Sequence, residues 1–201
     1  MKKTKTFLIA ECGIMVALAT VLSFIKVYEA PYGGSVTLMS MLPIMLVSLR
    51  HGIGPGLATG FVHSVIQLLF GLGSVAYVPD ALGIVLCILL DYIIPFTAIG
   101  FAGIFKKVKF TKNETANTVI TSVLGALLVL AFRYLCHIIS GVVIWYALDL
   151  VWYADDPTHI VNKYGAWVFS AIYNGWFMIP EIIITAIGAG ALSVPALKLK
   201  K

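Results

Sequence analysis

Charged residues are scarce in this chain. They make up 11% of its 201 residues, whereas 60% are hydrophobic and the mean hydropathy is +0.99. This composition excludes an ordinary soluble domain and predicts an integral membrane protein. Because a spanning helix takes roughly 20 apolar residues, the chain has room for about six. We therefore predict one transmembrane domain over residues 1–201 and no separate soluble domain.

Cysteine is rare as well. The three cysteines, Cys12, Cys87 and Cys136, all fall within apolar segments. An odd number with no pairing pattern argues against a disulfide framework. We interpret them as small apolar packing residues.

Several functional motifs are missing from the sequence. It contains no Gly-x-x-x-x-Gly-Lys-Ser/Thr phosphate loop, no His-Glu-x-x-His and no Gly-x-Ser-x-Gly. It therefore offers no means of hydrolysing ATP and no recognisable hydrolase site, which favours binding or transport over catalysis. No basic patch interleaved with aromatics is present, so a nucleic-acid partner is not predicted. No cofactor or metal is predicted either.

Six apolar segments are predicted to be transmembrane helices. Their approximate limits are 7–27, 36–49, 52–72, 81–105, 117–146 and 166–194. The second segment is short and contains Pro43. The first resembles a signal peptide, with Ala17-Leu18-Ala19 as a cleavage site, but Glu11 interrupts its apolar run and the run continues beyond that site. We therefore interpret it as the first transmembrane helix.

The distribution of positive charge predicts the orientation of these helices. With the N-terminus in the cytoplasm, 11 of the 14 Lys and Arg residues fall on the cytoplasmic side. The predicted outer loops instead carry most of the acidic residues, including Asp149 and Asp155. Positive charge is retained on the cytoplasmic side of membranes. The fold predicted is an all-α integral membrane protein with six transmembrane helices and both termini cytoplasmic.

Polar side chains interrupt three of the apolar segments. Arg133 and His137 are four residues apart and share one helix face, with Trp145 two turns further on. A helix rises about 1.5 Å per residue, which puts the polar side chains of segments four to six at mid-depth or in the outer half of the membrane. Ionisable groups at this depth are costly unless they face a cavity or a partner. We predict one outward-facing pocket lined by Asp91, Tyr92, His137, Trp145, Phe169, Tyr173 and Asn174.

This lining suits a flat, cationic heterocycle that forms hydrogen bonds. Aromatic faces attract cations by roughly 0.5–2 kcal/mol, and Asp91 supplies a counter-charge. His137 and Asn174 can each donate and accept hydrogen bonds. Other interpretations stay open at this point: a structural Asp91–Arg133 bridge, interhelical hydrogen bonding by His137 and Asn174, packing by Tyr173, and an interfacial position for Trp145.

Small residues mark the first segment. Gly13 and Ala17 are four residues apart, a spacing that lets helices approach closely in lipid. They serve either packing within the chain or docking of another membrane subunit.

Four motifs in order resemble one known family. They are Pro31-Tyr32-Gly33-Gly34-Ser35-Val36 with the following Ser48-Leu49-Arg50-His51-Gly52, Leu90-Asp91-Tyr92-Ile93, Arg133-Tyr134 with His137-Ile138-Ile139-Ser140-Gly141, and Trp167-Val168-Phe169-Ser170 with Tyr173-Asn174. Together they resemble the thiamine-specific substrate-binding subunits (S components) of energy-coupling factor (ECF) transporters, over nearly the whole chain.

The resemblance implies a function and partners. Such a subunit has six transmembrane helices, binds thiamine from outside with high affinity, and encloses it between helices four to six beneath the first loop. It docks through small residues of helix one, here Gly13 and Ala17, onto a transmembrane coupling subunit driven by two ATPase subunits. Thiamine, membrane lipid and these subunits are the implied partners.

The resemblance also implies roles for single residues. The acidic-Tyr pair is Asp91-Tyr92, with Asp where some members have Glu. Phe169 stands where a tyrosine is usual, which puts one hydroxyl in doubt; Tyr173 or Tyr164 is a candidate to replace it. The remaining residues implied in ligand binding are His137, Trp145, Asn174, Tyr32 in the first loop and Tyr77.

Two other functions remain alternatives from the residues themselves. One is an S component for another vitamin or small cation. The other is an intramembrane enzyme that uses His137 and Asp91 for acid–base chemistry.

Overall fold

Long helices dominate the computed structural model, which describes residues 5–30 and 33–198. Within that part of the chain, five helices are long and apolar enough to cross a membrane. The elements in chain order are α1 (Lys5–Ser23), β1 (Lys26–Glu29), β2 (Ser35–Thr37), α2 (Leu42–His51), α3 (Ile53–Phe70), α4 (Leu72–Val75), α5 (Ala81–Lys107), α6 (Glu114–Trp152), α7 (Ile160–Lys163) and α8 (Ala166–Lys198). The all-α membrane class is confirmed.

Long helices that pack side by side run in opposite directions. Asp91, early in α5, accepts a hydrogen bond from Ser140, late in α6. At the other end of the same pair, Gly125 of α6 lies against the backbone of Ala102 in α5. Contacts between α3 and α5, and between α6 and α8, follow the same opposed order. The polar residues of α5, α6 and α8 therefore meet at one end of the bundle.

The second predicted helix differs from the prediction. Residues 36–37 belong to strand β2, and α2 holds only 10 residues. At about 1.5 Å per residue α2 is about 15 Å long, half of a bilayer core of about 30 Å. Pro43 lies in its first turn, where the missing N–H costs nothing. The count of six spans and the side of the termini stay predictions.

The first loop forms a short β-hairpin rather than an irregular turn. Strands β1 and β2 are antiparallel, with Tyr28 opposite Val36. The end of the first predicted helix, 26–27, is thus a strand. A Cβ on Gly34 would overlap the ring of Phe177, so the turn can lie this close to α8 only without a side chain. Val36 is buried in an apolar cluster with Phe177 and Met178 of α8.

Beneath the hairpin, the bundle is closely packed. Gly100 of α5 lies against the backbone of α3, where a Cβ would overlap Gly56 and Leu57. The hydroxyl of Ser48 in α2 donates to the carbonyl oxygen of Gly100 and accepts from the N–H of Gly103. Small residues and hydroxyls commonly join helices in this way in membranes. This core closes the bundle below the polar residues.

Helix α1 lies at the edge of the bundle. Glu11 forms an ion pair with Arg50 and lies 3.1 Å from Nε2 of His51 at the end of α2, so its carboxylate holds the two helices together. Gly13 and Ala17 are exposed, and a Cβ on Gly13 would meet no atom within 4 Å. Gly13 therefore does not serve packing within the described chain. Docking of a subunit at this strip stays a prediction.

The fifth predicted helix is longer than expected. Segment 117–146 was expected to end in a polar outer loop, but α6 continues to Trp152. Asp149, expected in that loop, lies in the helix and is 1% exposed.

Candidate functional site

One cavity of about 220 Å³ lies at the polar end of the bundle, between α3, α5, α6 and α8 and beneath the hairpin. Seven of the predicted site residues line it together: Asp91, Tyr92, His137, Trp145, Phe169, Tyr173 and Asn174. Tyr77 is not among the lining residues; it is 57% exposed and packs edge-on against Trp152. Tyr32 lies outside the described residues.

Asp91 is the centre of the polar network. Its Oδ2 atom accepts hydrogen bonds from the Ser140 hydroxyl at 2.6 Å and from Nε1 of Trp145 at 3.1 Å. Its Oδ1 atom is 3.0 Å from Nδ1 of His137. The Cys87 thiol adds a weak contact with Oδ2 at 3.5 Å. These donors stabilise a carboxylate charge facing the cavity, and Oδ1 keeps a lone pair for a further donor.

Arg133 acts on this carboxylate through His137. Nε of Arg133 lies 3.2 Å from Nε2 of His137, and an arginine can only donate, so Nε2 is the acceptor. Nδ1 of His137 must then carry the proton and donate to Asp91. The direct Asp91–Arg133 bridge left open above is not formed among the described residues; the guanidinium instead lies over the ring of Phe96 at 4.3 Å.

Two π-helical turns bring these residues together. Ile88–Ile93 in α5 contains Asp91, and Gly141–Trp145 in α6 ends at Trp145. A π-turn adds a residue to the helix turn, shifts the side chains that follow it and is frequent at functional sites. The regular helices expected from the sequence would therefore have displaced the indole from its position beside Asp91.

Aromatic rings form the opposite wall of the cavity. Phe169, Tyr173 and Phe177 follow one another at four-residue spacing on α8, with ring centroids 6.1 Å and 6.4 Å apart. Tyr146 packs against Phe169 at 5.6 Å, and His137 lies edge-on to Phe177 at 5.8 Å. Aromatic rings attract cations through their negative faces, so a wall of this composition suits a cationic ligand.

Asn174 combines a structural role with an open acceptor. Its Nδ2 atom donates to the carbonyl oxygens of His137 at 3.1 Å and Ser170 at 2.9 Å, which ties α6 to α8. Its Oδ1 atom accepts no hydrogen bond among the described residues. The amide oxygen is therefore available to a donor on a ligand.

The comparisons with known proteins agree with one another. The family described as "Thiamine transporter protein (Thia_YuaJ)" matches residues 9–201. The chain belongs to this thiamine transporter family. "Thiamine transporter ThiT" of Bacillus subtilis (strain 168) is 35% identical over 196 residues, covering 95% of this chain and 92% of the relative. A protein of the same name from Lacticaseibacillus paracasei is 28% identical over 203 residues, covering 95% and 89%.

A solved structure has the same fold. The structure of ThiT from Listeria monocytogenes matches with a TM-score of 0.73 and 23% identity, covering 97% of each chain. The thiamine transporter family consists of transporters rather than enzymes, so the acid–base enzyme alternative does not stand. The expected location in the membrane, as a multi-pass protein, is confirmed.

Several residues that line the cavity or donate to Asp91 were not identified from the sequence. Ser140 is one turn from His137 on the same helix face, so its position beside Asp91 was readable from spacing alone. Gln67, which donates to Ser23 at 3.0 Å, and the Lys26–Glu29 pair, 2.6 Å apart, carried no such signal because only folding brings them to the cavity. Tyr164, one candidate to replace the missing hydroxyl at Phe169, is not a lining residue, whereas Tyr173 is.

Proposed function

We propose that this chain is a substrate-binding subunit that captures thiamine in the cavity beneath the hairpin. The observation that carries the proposal is the Asp91 carboxylate, held by three donors and facing a wall of aromatic rings. Thiamine has a cationic thiazolium ring and an aminopyrimidine ring that forms hydrogen bonds. A half-buried carboxylate and aromatic rings match the first, and the open acceptor of Asn174 matches the second.

Each lining residue has a proposed role toward thiamine. Asp91 balances the thiazolium charge or accepts from the aminopyrimidine. Trp145, His137 and Tyr92 enclose the rings, and Tyr173 closes the α8 side of the cavity. Because both nitrogens of His137 are engaged by Arg133 and Asp91, its contribution is its ring face and the position of Asp91 rather than a free nitrogen.

Transport by this subunit is proposed to depend on partners. The sequence lacks a phosphate loop, so ATP hydrolysis must take place in other chains. We propose that the exposed strip of Gly13 and Ala17 on α1 docks onto an ECF coupling subunit served by two ATPases. Six transmembrane spans with both termini cytoplasmic, and binding from the outside, complete the proposal.

Fluorescence titration with thiamine tests the binding step. Trp145 lines the cavity, whereas Trp167 and Trp176 are 62% and 69% exposed, so stacking of thiamine should quench mainly Trp145. We expect saturable quenching below about 1 µM for the purified chain. Trp145→Phe should remove most of the quenching, and Trp176→Phe is the matched control that should keep it. No quenching by thiamine, with quenching by another vitamin, would favour the alternative S component.

A further inference from the structure

A second carboxylate lies within the same bundle but outside the cavity lining. Glu181 of α8 is fully buried, at 0% exposure. Its Oε2 atom accepts a hydrogen bond from the backbone N–H of Thr37 at 2.6 Å, and its Oε1 atom accepts from the Thr37 hydroxyl at 2.9 Å. Burial of a carboxylate inside a membrane helix is costly without such partners. Both of these partners belong to one residue of the hairpin.

Thr37 is the last residue of strand β2 and lines the cavity. Its hydroxyl also shares a hydrogen bond of 2.7 Å with Ser40, a second lining residue in the turn before α2. Glu181 therefore binds the hairpin, which forms the roof of the cavity, at the point where the chain passes from β2 toward α2. Because Glu181 binds both the backbone N–H and the side-chain hydroxyl of Thr37, it fixes the position of the last residue of the strand.

The hairpin needs such tertiary support. Its strands have 4 and 3 residues, and a two-stranded hairpin of this size is at best marginally stable alone in water. Val36 contributes apolar contacts with Phe177 and Met178, but apolar packing has little direction and lets a strand slide. Two hydrogen bonds between Thr37 and the two oxygens of Glu181 are directional, so they fix the position of the strand.

We propose that Glu181 is a positioning residue that anchors the hairpin roof and thereby slows the release of bound ligand. The proposal rests on the proposed function, because the ligand considered is thiamine in the cavity. Since the hairpin forms part of the cavity enclosure, a ligand leaving past it must displace the roof. Loss of the anchor should then accelerate release more than it slows binding.

Two substitutions of Glu181 separate the anchor from the charge. Glu181→Met keeps a similar side-chain length and removes both acceptors. Glu181→Gln removes the charge but can still accept from the Thr37 N–H and donate to the Thr37 hydroxyl. The comparison is needed because Glu181→Met removes the charge together with both acceptors. Ser193→Ala, buried at 0% on the same helix, is the matched control.

Stopped-flow tryptophan fluorescence would measure association and release of thiamine. We expect release to be about tenfold faster in Glu181→Met, with association changed by less than about threefold. Glu181→Gln and Ser193→Ala should both stay within about threefold of the unmodified chain. A release rate of Glu181→Met within twofold of that of the unmodified chain would overturn the proposal. So would release from Glu181→Gln as fast as release from Glu181→Met.

Hydrogen exchange of the ligand-free protein tests the same anchor without thiamine. The Thr37 amide should exchange about tenfold faster in Glu181→Met, while the amides of α5 and α6 keep their protection. Unchanged exchange at Thr37 would overturn the proposal. If the unmodified chain binds no thiamine, the proposed function fails, but the exchange result still decides the anchor. Thr37→Val, which removes only the hydroxyl, gives a milder version should Glu181→Met not fold.

Discussion

Asp91 and Glu181 are both acidic residues in the middle of long apolar helices, yet their surroundings differ. Asp91 lines the cavity and receives hydrogen bonds from side chains of α6. Glu181 is closed off from the cavity and receives its hydrogen bonds from the hairpin. A carboxylate is thus accessible to a ligand at Asp91, whereas at Glu181 its oxygens are occupied by hydrogen bonds from Thr37.

The difference shows what an intramembrane carboxylate needs before it can bind a substrate. In both carboxylates, hydrogen-bond donors offset the cost of removing the group from water. The presence of such donors therefore does not distinguish a binding site from a structural site. Exposure to the cavity does distinguish them: the Asp91 side chain retains 15% exposure, whereas Glu181 has none. We therefore expect thiamine affinity to depend on the charge of Asp91 and not on that of Glu181.

The largest effect is expected from neutralising Asp91. Asp91→Asn should weaken thiamine binding about a hundredfold, about 2.7 kcal/mol, because it removes the counter-charge of a buried cation. Glu181→Gln should change the equilibrium affinity by less than about threefold. Titration of both variants gives the comparison, and Asp155→Asn, an exposed carboxylate, is the control. Equal losses at Asp91 and Glu181 would show that access does not distinguish the two groups.

Removal of His137 should have the next largest effect. His137→Ala breaks the connection from Arg133 to Asp91 and deletes a ring face from the cavity. We expect thiamine binding to weaken about tenfold, about 1.4 kcal/mol. Isothermal titration calorimetry would measure it, with Ser193→Ala as a buried substitution distant from the network. Affinity equal to that of the unmodified chain would exclude His137 from the site.

The Cys87 thiol should matter much less. It approaches Oδ2 of Asp91 at 3.5 Å, and a thiol is a weak donor. We expect Cys87→Ala to weaken thiamine binding by less than about threefold, since the other three donors remain. A loss of affinity as large as that of His137→Ala would mean that each single donor to Asp91 contributes strongly to thiamine binding, and that the carboxylate charge is not sufficient.

The smallest effect on affinity is expected far from both carboxylates, on α1. Gly13→Leu adds a bulky side chain to the exposed strip and should leave thiamine affinity of the isolated subunit within about twofold. Under the proposed docking onto a coupling subunit, it should nevertheless lower ATP-driven uptake about tenfold or more, because the added side chain would block that contact. Ile14→Leu, an exposed apolar neighbour, is the control. Normal uptake by Gly13→Leu would exclude the strip as a docking surface.

Reasoning from the sequence found seven residues of the cavity lining because helix geometry is regular. Four-residue spacing placed Arg133 and His137 on one face, and helix rise placed Asp91 near mid-depth and Asn174 in the outer half of the membrane. It failed where the backbone departs from a plain helix. The two-stranded hairpin was interpreted as a loop joining two helices, since strands this short leave little signal beside long apolar runs.

The placement of Tyr77 shows another limit. The family resemblance implied it as a ligand-binding residue, but it packs against Trp152 and lies outside the cavity lining. Neither its type nor its distance along the chain from Asp91 distinguishes these positions. Glu181 had no assigned role for a similar reason: its partner Thr37 is 144 residues away in sequence.

The sequence by itself determined that this protein lies in a membrane, that its helices carry a polar face, and which of its residues are chemically able to bind a cationic heterocycle. Composition and periodicity suffice for this, because an ionisable side chain within the bilayer is costly unless it has a partner or faces a cavity. Only the tertiary structure decided that Ser140 and Trp145 donate to Asp91, whereas Glu181 accepts its hydrogen bonds from Thr37 of the hairpin. That choice depends on which donors approach each carboxylate from distant parts of the chain, and on the π-turns and the hairpin that bring them there.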